Sequence, residues 1–573
     1  MNKSTKRIIA LALLALLLVT FVACKENTPT PTPPDEPDKP VPPQPQDPTL
    51  TDPVYDGSDV VVSQIVSTSA GNHIMVDGND FLFVGTQIRV DAFMNCDKLD
   101  YEQVGLLFAE AAKLGVTCVQ IPVEWAKIET EKDKFDFTYL FNILGLTNKY
   151  NLKTELLWFG TNMCGDSHSY TVPDYILRDG KTYPKFDALR TGEYWNYYGI
   201  MWFLDFDNPN LVARESNAIA KMMEYIYEYD STHGGKKPVI GVQILNEPDI
   251  FVRFRIKDKE VSQNGQILDT KTGYEKIYNS LDALGKTVKA AKYKVYTRVN
   301  LASSTNADSY GNANGIYEGD KLKGAPKFAE EICALEGIDI VGDDSYTSSV
   351  RNIKGITKMF GNIQGNFGHI AENDGSYENT ASLILAAVAQ HGGYSLYDLL
   401  TSPFYVKHGT GNVDQGVLTY ANADYTEFNY KKHYNETKTM IAGLKAAESK
   451  IYTVSSEDFA AFNIKTNFAS AELTQTVSTT NVTLAFVTKK GAIGFAIDCG
   501  GYLVVFATAD ATLNVTDGSV TSVQSGAFVN GEFVADGTIA LSDVISLQAG
   551  TLYRIDYVSA GKIASTTWQE IGG

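Results

Sequence analysis

The sequence predicts a (β/α)8 TIM barrel followed by an antiparallel β-sandwich. Three observations carry this. Eight short apolar, β-branched runs alternate with segments of helical periodicity between about residues 83 and 449. No glycine-rich phosphate loop follows an early strand, as an open doubly wound sheet would bring. Leu284-Gly-Lys-Thr287 is no exception, because Ser280 stands where such a loop needs its first glycine and the residues lie within a helical pattern. After about Ile451 the texture changes to β-branched runs broken by Gly, Asp and Asn.

The chain begins with a basic segment, Met1–Arg7, and an apolar run, Ile8–Val22, the pattern of a secretory signal and too short for a membrane span. The run closes on Phe21-Val-Ala-Cys24, which resembles the lipobox of bacterial lipoproteins, with Phe21 where Leu is usual. That resemblance implies lipidation of Cys24 and anchoring in the cell envelope, on the outer membrane; a non-lipidated signal peptide is the alternative. Residues 25–55 read as a linker, since eleven of the 19 prolines fall between Thr28 and Pro53.

The barrel is assigned to residues 56–449. A hairpin about Asp77-Gly78 leads in. Strands are expected near Phe83–Ile88, Cys118–Val123, Lys153–Phe159, Val239–Leu245, Lys294–Val299, Ile338–Val341, Gly368–Ala371 and Gly393–Leu396. Helices are expected at Tyr101–Leu114, Phe135–Tyr150, Ala213–Tyr229, Tyr274–Ala291, Ala325–Leu335, Asn352–Asn362 and Asn379–Gln390, with a last one over about Tyr425–Ser449. Residues 450–573 form the sandwich, through runs such as Asn481–Val487, Tyr502–Phe506 and Thr551–Tyr557. With no cluster of exposed aromatics there, its expected role is packing or spacing.

Charge and composition narrow the function. A net charge of −19 argues against a nucleic-acid partner, which needs clustered Lys and Arg. Six cysteines without pair spacing suggest neither a zinc site nor a disulfide framework, and seven scattered histidines without a His-Glu-x-x-His pattern imply no metal. No cofactor is implied.

What remains is a pair of glutamates. The apolar run Val239–Leu245 stops at Asn246-Glu247-Pro248, where proline, having no N–H to give the ladder, disfavours a further central-strand residue. Glu247 thus ends the fourth strand, and Glu372, in Gly368-His-Ile-Ala-Glu372, ends the seventh. Catalytic groups of such barrels come from the C-terminal ends of strands. Either glutamate alone reads equally well as a solvated strand-end charge. Together they are what glycoside hydrolysis needs, one protonating the leaving oxygen and the other attacking or activating water.

These residues also carry a family resemblance. Gln243-Ile-Leu-Asn-Glu-Pro248 looks like the acid/base motif of the clan A glycoside hydrolases, and Ile370-Ala-Glu-Asn373 resembles their nucleophile segment, within a likeness spanning roughly residues 72–445. Gly85-Thr-Gln-Ile-Arg89 and Leu156-Leu-Trp-Phe-Gly160 bring it closest to the β-galactosidase-type families 35 and 42. The resemblance implies a retaining double displacement on an oligo- or polysaccharide, with Glu247 as acid/base, Glu372 as nucleophile and Asn246 bonding the sugar 2-hydroxyl. Family 35 members typically carry Tyr-Gly after the acid/base glutamate. Pro248-Asp249 stands here, as in several endo-acting relatives, so an endo-β-glycanase remains open, as does a non-catalytic carbohydrate-binding surface lipoprotein.

Other residues are expected in support. Tyr346 after the sixth strand matches where the clan places a tyrosine that bonds the nucleophile. Arg89 either steadies Glu372 or pairs with Asp91. Trp125 and Trp158, at the ends of strands two and three, either stack on sugar or pack the core. Tyr394 and Tyr397 lie on strand eight. The segment from about Thr161 to Asn210, with Tyr170, Tyr175, Tyr194, Trp195, Tyr197, Tyr198 and Trp202, exceeds a normal barrel loop. At the catalytic face it would make a pocket and favour chain-end attack, and part of it would be an aromatic minicore.

Overall fold

A computed structural model describes residues 50–161, 171–187, 202–248, 260–261, 267–268, 270–302, 317–318, 321–322, 324, 326–408, 413–464, 473–488 and 491–560. The signal segment, Cys24 and the linker as far as residue 49 lie outside these residues.

Eight parallel strands close into a barrel: β1 (Val84–Gln87), β2 (Cys118–Glu124), β3 (Lys153–Phe159), β4 (Val239–Ile244), β5 (Tyr296–Ala302), β6 (Ile340–Asp344), β7 (His369–Asp374) and β8 (Gly393–Tyr397). Each pairs with its sequence neighbours and β8 closes on β1. The principal helices are α1 (Tyr101–Leu114), α2 (Thr138–Lys149), α3 (Pro209–Thr232), α4 (Thr270–Ala290), α5 (Lys327–Cys333), α6 (Val350–Gly361), α7 (Thr380–Val388) and α8 (Tyr434–Ile451), beside four short ones among the described residues. Local chemistry sets their limits. Asp100 and Gln103 form a reciprocal capping box at the start of α1, and Gly115 ends that helix at φ 95°.

Strands β2, β4 and β5 are buried at every residue, as non-alternating apolar runs between a filled barrel and a helical shell must be. Most polar atoms they bury are paired, with Gln120 Oε1, Gln243 Oε1 and Arg298 Nη1 lacking a partner among the described residues. Arg298 on β5 grips Glu155 on β3 at 2.7 Å through both Nε and Nη2, and Glu155 also accepts from Gln120 and Tyr296. Burial raises the cost of that carboxylate's charge, and the Arg298 guanidinium more than offsets it, so Glu155 is held below the ordinary range.

Two expected boundaries move. Residues 50–55, assigned to the linker, are docked on the barrel. The Thr51 and Val54 backbone amides donate to Thr232 and Ser231 at the end of α3, and Tyr55 Oη donates to Asp230 at 2.5 Å. Those α3 carbonyls have no partner within the helix, so an extended segment can satisfy them. The last helix begins at Tyr434, not Tyr425, because Leu418–Tyr420 and Phe428–Tyr430 form a hairpin before it.

The C-terminal strands form two antiparallel sheets. One has six strands, ordered Phe459–Ile464, Ala492–Asp498, Tyr502–Ala507, Leu552–Ser559, Gly518–Val529 and Glu532–Thr538. The other has four: Leu473–Ser478, Thr483–Thr488, Ala511–Val515 and Ile545–Leu547. Their inner faces share one core around Phe462, Phe486 and Leu513. The outer face of the larger sheet, with Phe495, Val504 and Phe506, merges with the barrel core through α8. Gly443 permits this, since a Cβ there would fall within 2.6 Å of the Phe506 ring. The sandwich is therefore packed against the barrel.

Candidate active site

The C-terminal strand ends of the barrel bring the two glutamates and their supports together. Glu372 sits inside β7, almost wholly buried. Tyr346 Oη donates to its Oε2 at 2.6 Å and Gln87 Nε2, from β1, donates to its Oε1 at 2.9 Å. Both carboxylate oxygens are thus held, which fixes their direction. Burial raises the carboxyl's pKa, while the Tyr346 and Gln87 hydrogen bonds and the Arg298 and Arg89 charges pull it back. The net shift is upward.

Glu247 lies three residues beyond β4 in a backbone path that ordinary residues avoid. Leu245 has φ 60° and Glu247 φ 43°. Such conformations persist where surrounding bonds over-determine them. Here the Gln243 amide donates to the Leu245 carbonyl at 2.9 Å, and the Glu247 amide donates to Asn300 Oδ1 at 3.2 Å. Asn246 Oδ1 accepts from Gln243 at 3.1 Å and from Asn300 at 3.0 Å. With its oxygen committed to two donors, the amide nitrogen is the end that can donate onward, as a bond to a sugar hydroxyl requires.

Tyr346 is itself positioned. It adopts φ 42°, and the next residue, Thr347, is bonded to the Asn373 side chain through both its N–H and its C=O. Asn373 also donates to Tyr394 Oη at 2.9 Å. Tyr397 meets the Tyr346 ring edge-on, with centroids 5.9 Å apart.

Comparisons with known proteins give the following. A family model described as "Domain of unknown function (DUF4978)" matches residues 276–469, less than half of the chain. No curated protein matches. Among solved structures, the chain is similar to an exo-beta-1,4-mannosidase from Opitutaceae bacterium strain TAV5, with 14% identity, TM-score 0.44, and 68% of this chain and 63% of that one covered. It is similar to the endo-1,4-beta-mannanase of Rhizomucor miehei, with 13% identity, TM-score 0.41 and coverage of 65% and 99%. It is also similar to a beta-galactosidase of the Antarctic haloarchaeon Halorubrum lacusprofundi, with 12% identity, TM-score 0.43 and coverage of 64% and 58%. The chain thus spans less than two thirds of the mannosidase and galactosidase chains.

Three expected sugar contacts are placed otherwise. Trp125 and Trp158 are fully buried and present no ring face. Trp125 Nε1 donates to Glu129 and Trp158 Nε1 to Glu215, each at 2.9 Å, so both indoles pack under the strand ends with their one polar atom satisfied. Tyr394 is buried as well, and acts on the site only through Asn373. Arg89 is held by Asp91. Its guanidinium pairs with Asp91 at 2.9 and 2.6 Å between the rings of Phe159 and Tyr405, and its charge still lowers the pKa of Glu372.

Trp158→Ala is expected to cost about 3–5 kcal/mol, as large aromatic deletions do, and to leave Glu215 buried with one donor fewer. Chemical denaturation reads this; a change under about 1 kcal/mol would show the indole to be dispensable to the core.

Of the long segment after β3, Tyr170, Tyr194, Trp195, Tyr197 and Tyr198 lie outside the described residues. Tyr175 packs half-buried against the main core: its Oη accepts from Arg214 Nε at 3.1 Å and its ring lies beneath that guanidinium. Gln87, Asn300 and Asp344 belong to the site and were not expected there. Each is a polar residue at or near the end of a barrel strand.

Proposed function

We propose that the protein is a retaining glycoside hydrolase that removes β-linked sugars from a chain end, as β-galactosidase-type enzymes do. The observation that supports this most is the grip of Tyr346 and Gln87 on both oxygens of Glu372, on a barrel whose fourth strand leads to Glu247. A carboxylate so oriented can attack the anomeric carbon while Glu247 gives its proton to the departing glycosidic oxygen. In the second step Glu247 takes a proton from water, the water oxygen bonds to the anomeric carbon, and Glu372 leaves as carboxylate. Asn246 donates to the 2-hydroxyl, a bond that strengthens as positive charge develops. The lipobox at Cys24 favours an envelope-anchored enzyme, and loss of labelling by a fatty-acid probe in Cys24→Ser checks that location.

A panel of aryl β-glycosides and β-linked polysaccharides tests the activity. Release of the aryl group from a galactoside, with sugar removed singly from oligosaccharides, is expected. Activity on polymers alone would replace chain-end action by an endo-glycanase. Binding without hydrolysis would replace the enzyme by a carbohydrate-binding surface protein.

A further inference from the structure

Strand β6 ends in two aspartates, and a β-bulge sets the second level with Glu372. Between β6 and β7 the partners run Gly342 with His369 and Asp343 with Ile370, then jump to Asp344 with Glu372. Neighbouring strands lie about 4.8 Å apart, so Asp344 and Glu372 stand beside each other at the barrel mouth. Asp344 is fully buried. Its Oδ2 accepts from Asn300 Nδ2 at 2.7 Å, and its Oδ1 has no partner among the described residues. Asn300 is a hub. The same Nδ2 donates to Asn246, and its Oδ1 accepts from the Glu247 amide. Asn300, together with Gln243, therefore holds the acid/base segment in its direction.

Charge around Asp344 is one-sided. Glu372 faces it from β7, Glu247 from beyond β4 and Asp343 from its own strand; the opposing cation, Arg298 on β5, gives Nε and Nη2 to Glu155, and its Nη1 has no partner among the described residues. Burial first, and then these carboxylates, drive the Asp344 pKa far upward, and Arg298 opposes them only in part. Neighbouring buried carboxyl groups do not all ionise.

We propose that Asp344 is a positioning residue that works as an uncharged carboxylic acid, fixing Asn300 and through it Asn246 and the Glu247 backbone without adding a negative charge beside Glu372. A neutral acid keeps an acceptor oxygen for Asn300. It also leaves the ionised state to Glu372, which must attack. Only the kinetic part of the test rests on the glycosidase reading.

Infrared difference spectra of the full chain, wild type minus Asp344→Asn at neutral pH and without substrate, read the protonation state directly. The expected result is a protonated-carboxyl C=O band lost in the variant; a carboxylate band lost in its place overturns the proposal. In the kinetic arm, Asp344→Asn keeps an acceptor for Asn300 and Asp344→Ala does not. Asp344→Ala is expected to lose about tenfold more kcat than Asp344→Asn, with a smaller change in KM. Equal losses in two variants that melt like wild type overturn the positioning role. A wild type inactive on every glycoside sinks the functional reading, and the infrared result still decides the state of Asp344.

Discussion

Replacing Glu372 with Gln lowers kcat by about ten-thousand-fold or more and leaves the fold intact. The magnitude is that of removing a nucleophile whose loss leaves only binding and orientation to act. The amide has the same shape, so Tyr346 Oη can still donate to an oxygen at Oε2 and the β7 backbone is undisturbed. Melting within a few degrees of wild type, with no aryl release, is the expected pair of readings. Near-normal turnover would remove Glu372 from the chemistry. On the proposed mechanism the same carboxylate sets the acid limb of the pH profile, because there it attacks only when ionised. Burial raises its pKa and the Tyr346 hydrogen bond lowers it. Tyr346→Phe therefore moves the acid limb of kcat/KM to higher pH, and an unmoved limb would show that the bond does not tune the nucleophile.

The second large effect belongs to Glu247 and depends on the leaving group. Glu247→Ala removes the proposed proton donor, so substrates with poor leaving groups are expected to slow by about 10²–10⁴-fold. Dinitrophenyl glycosides, whose departure needs no proton, form the glycosyl-enzyme at a nearly normal rate and then stall, because the base that activates water is also absent. Added azide restores turnover and yields a β-glycosyl azide. A loss of rate independent of the leaving group would assign Glu247 a binding role.

Much of this was legible in the chain. Every barrel strand was expected near where it lies, because a strand buried on both faces reads as a short run rich in apolar residues. Glu247 and Glu372 stood out as charges at the ends of such runs. What escaped was set by where strands stop. The fifth strand was expected to end at Val299 and the sixth at Val341, but hydrogen bonding carries them to Ala302 and Asp344. Asn300 and Asp344 fall in those extra residues. Polar residues are poor strand formers alone and are held here by neighbouring strands, a tertiary effect that propensity does not contain. Tryptophan shows the opposite limit. Trp125 and Trp158 have the composition of a stacking platform, and only their packing against Glu129 and Glu215 reveals them as core.

Double displacement is tested by mass-spectrometric mapping of the protein after inactivation by a 2-deoxy-2-fluoro β-glycoside bearing a good leaving group, its sugar chosen by the aryl-glycoside panel. Slow hydrolysis of the second step should trap one sugar per chain as an ester on Glu372, in the peptide containing His369–Asp374. A sugar on another carboxylate, or no adduct together with release of the inverted anomer from substrate, would contradict the double displacement.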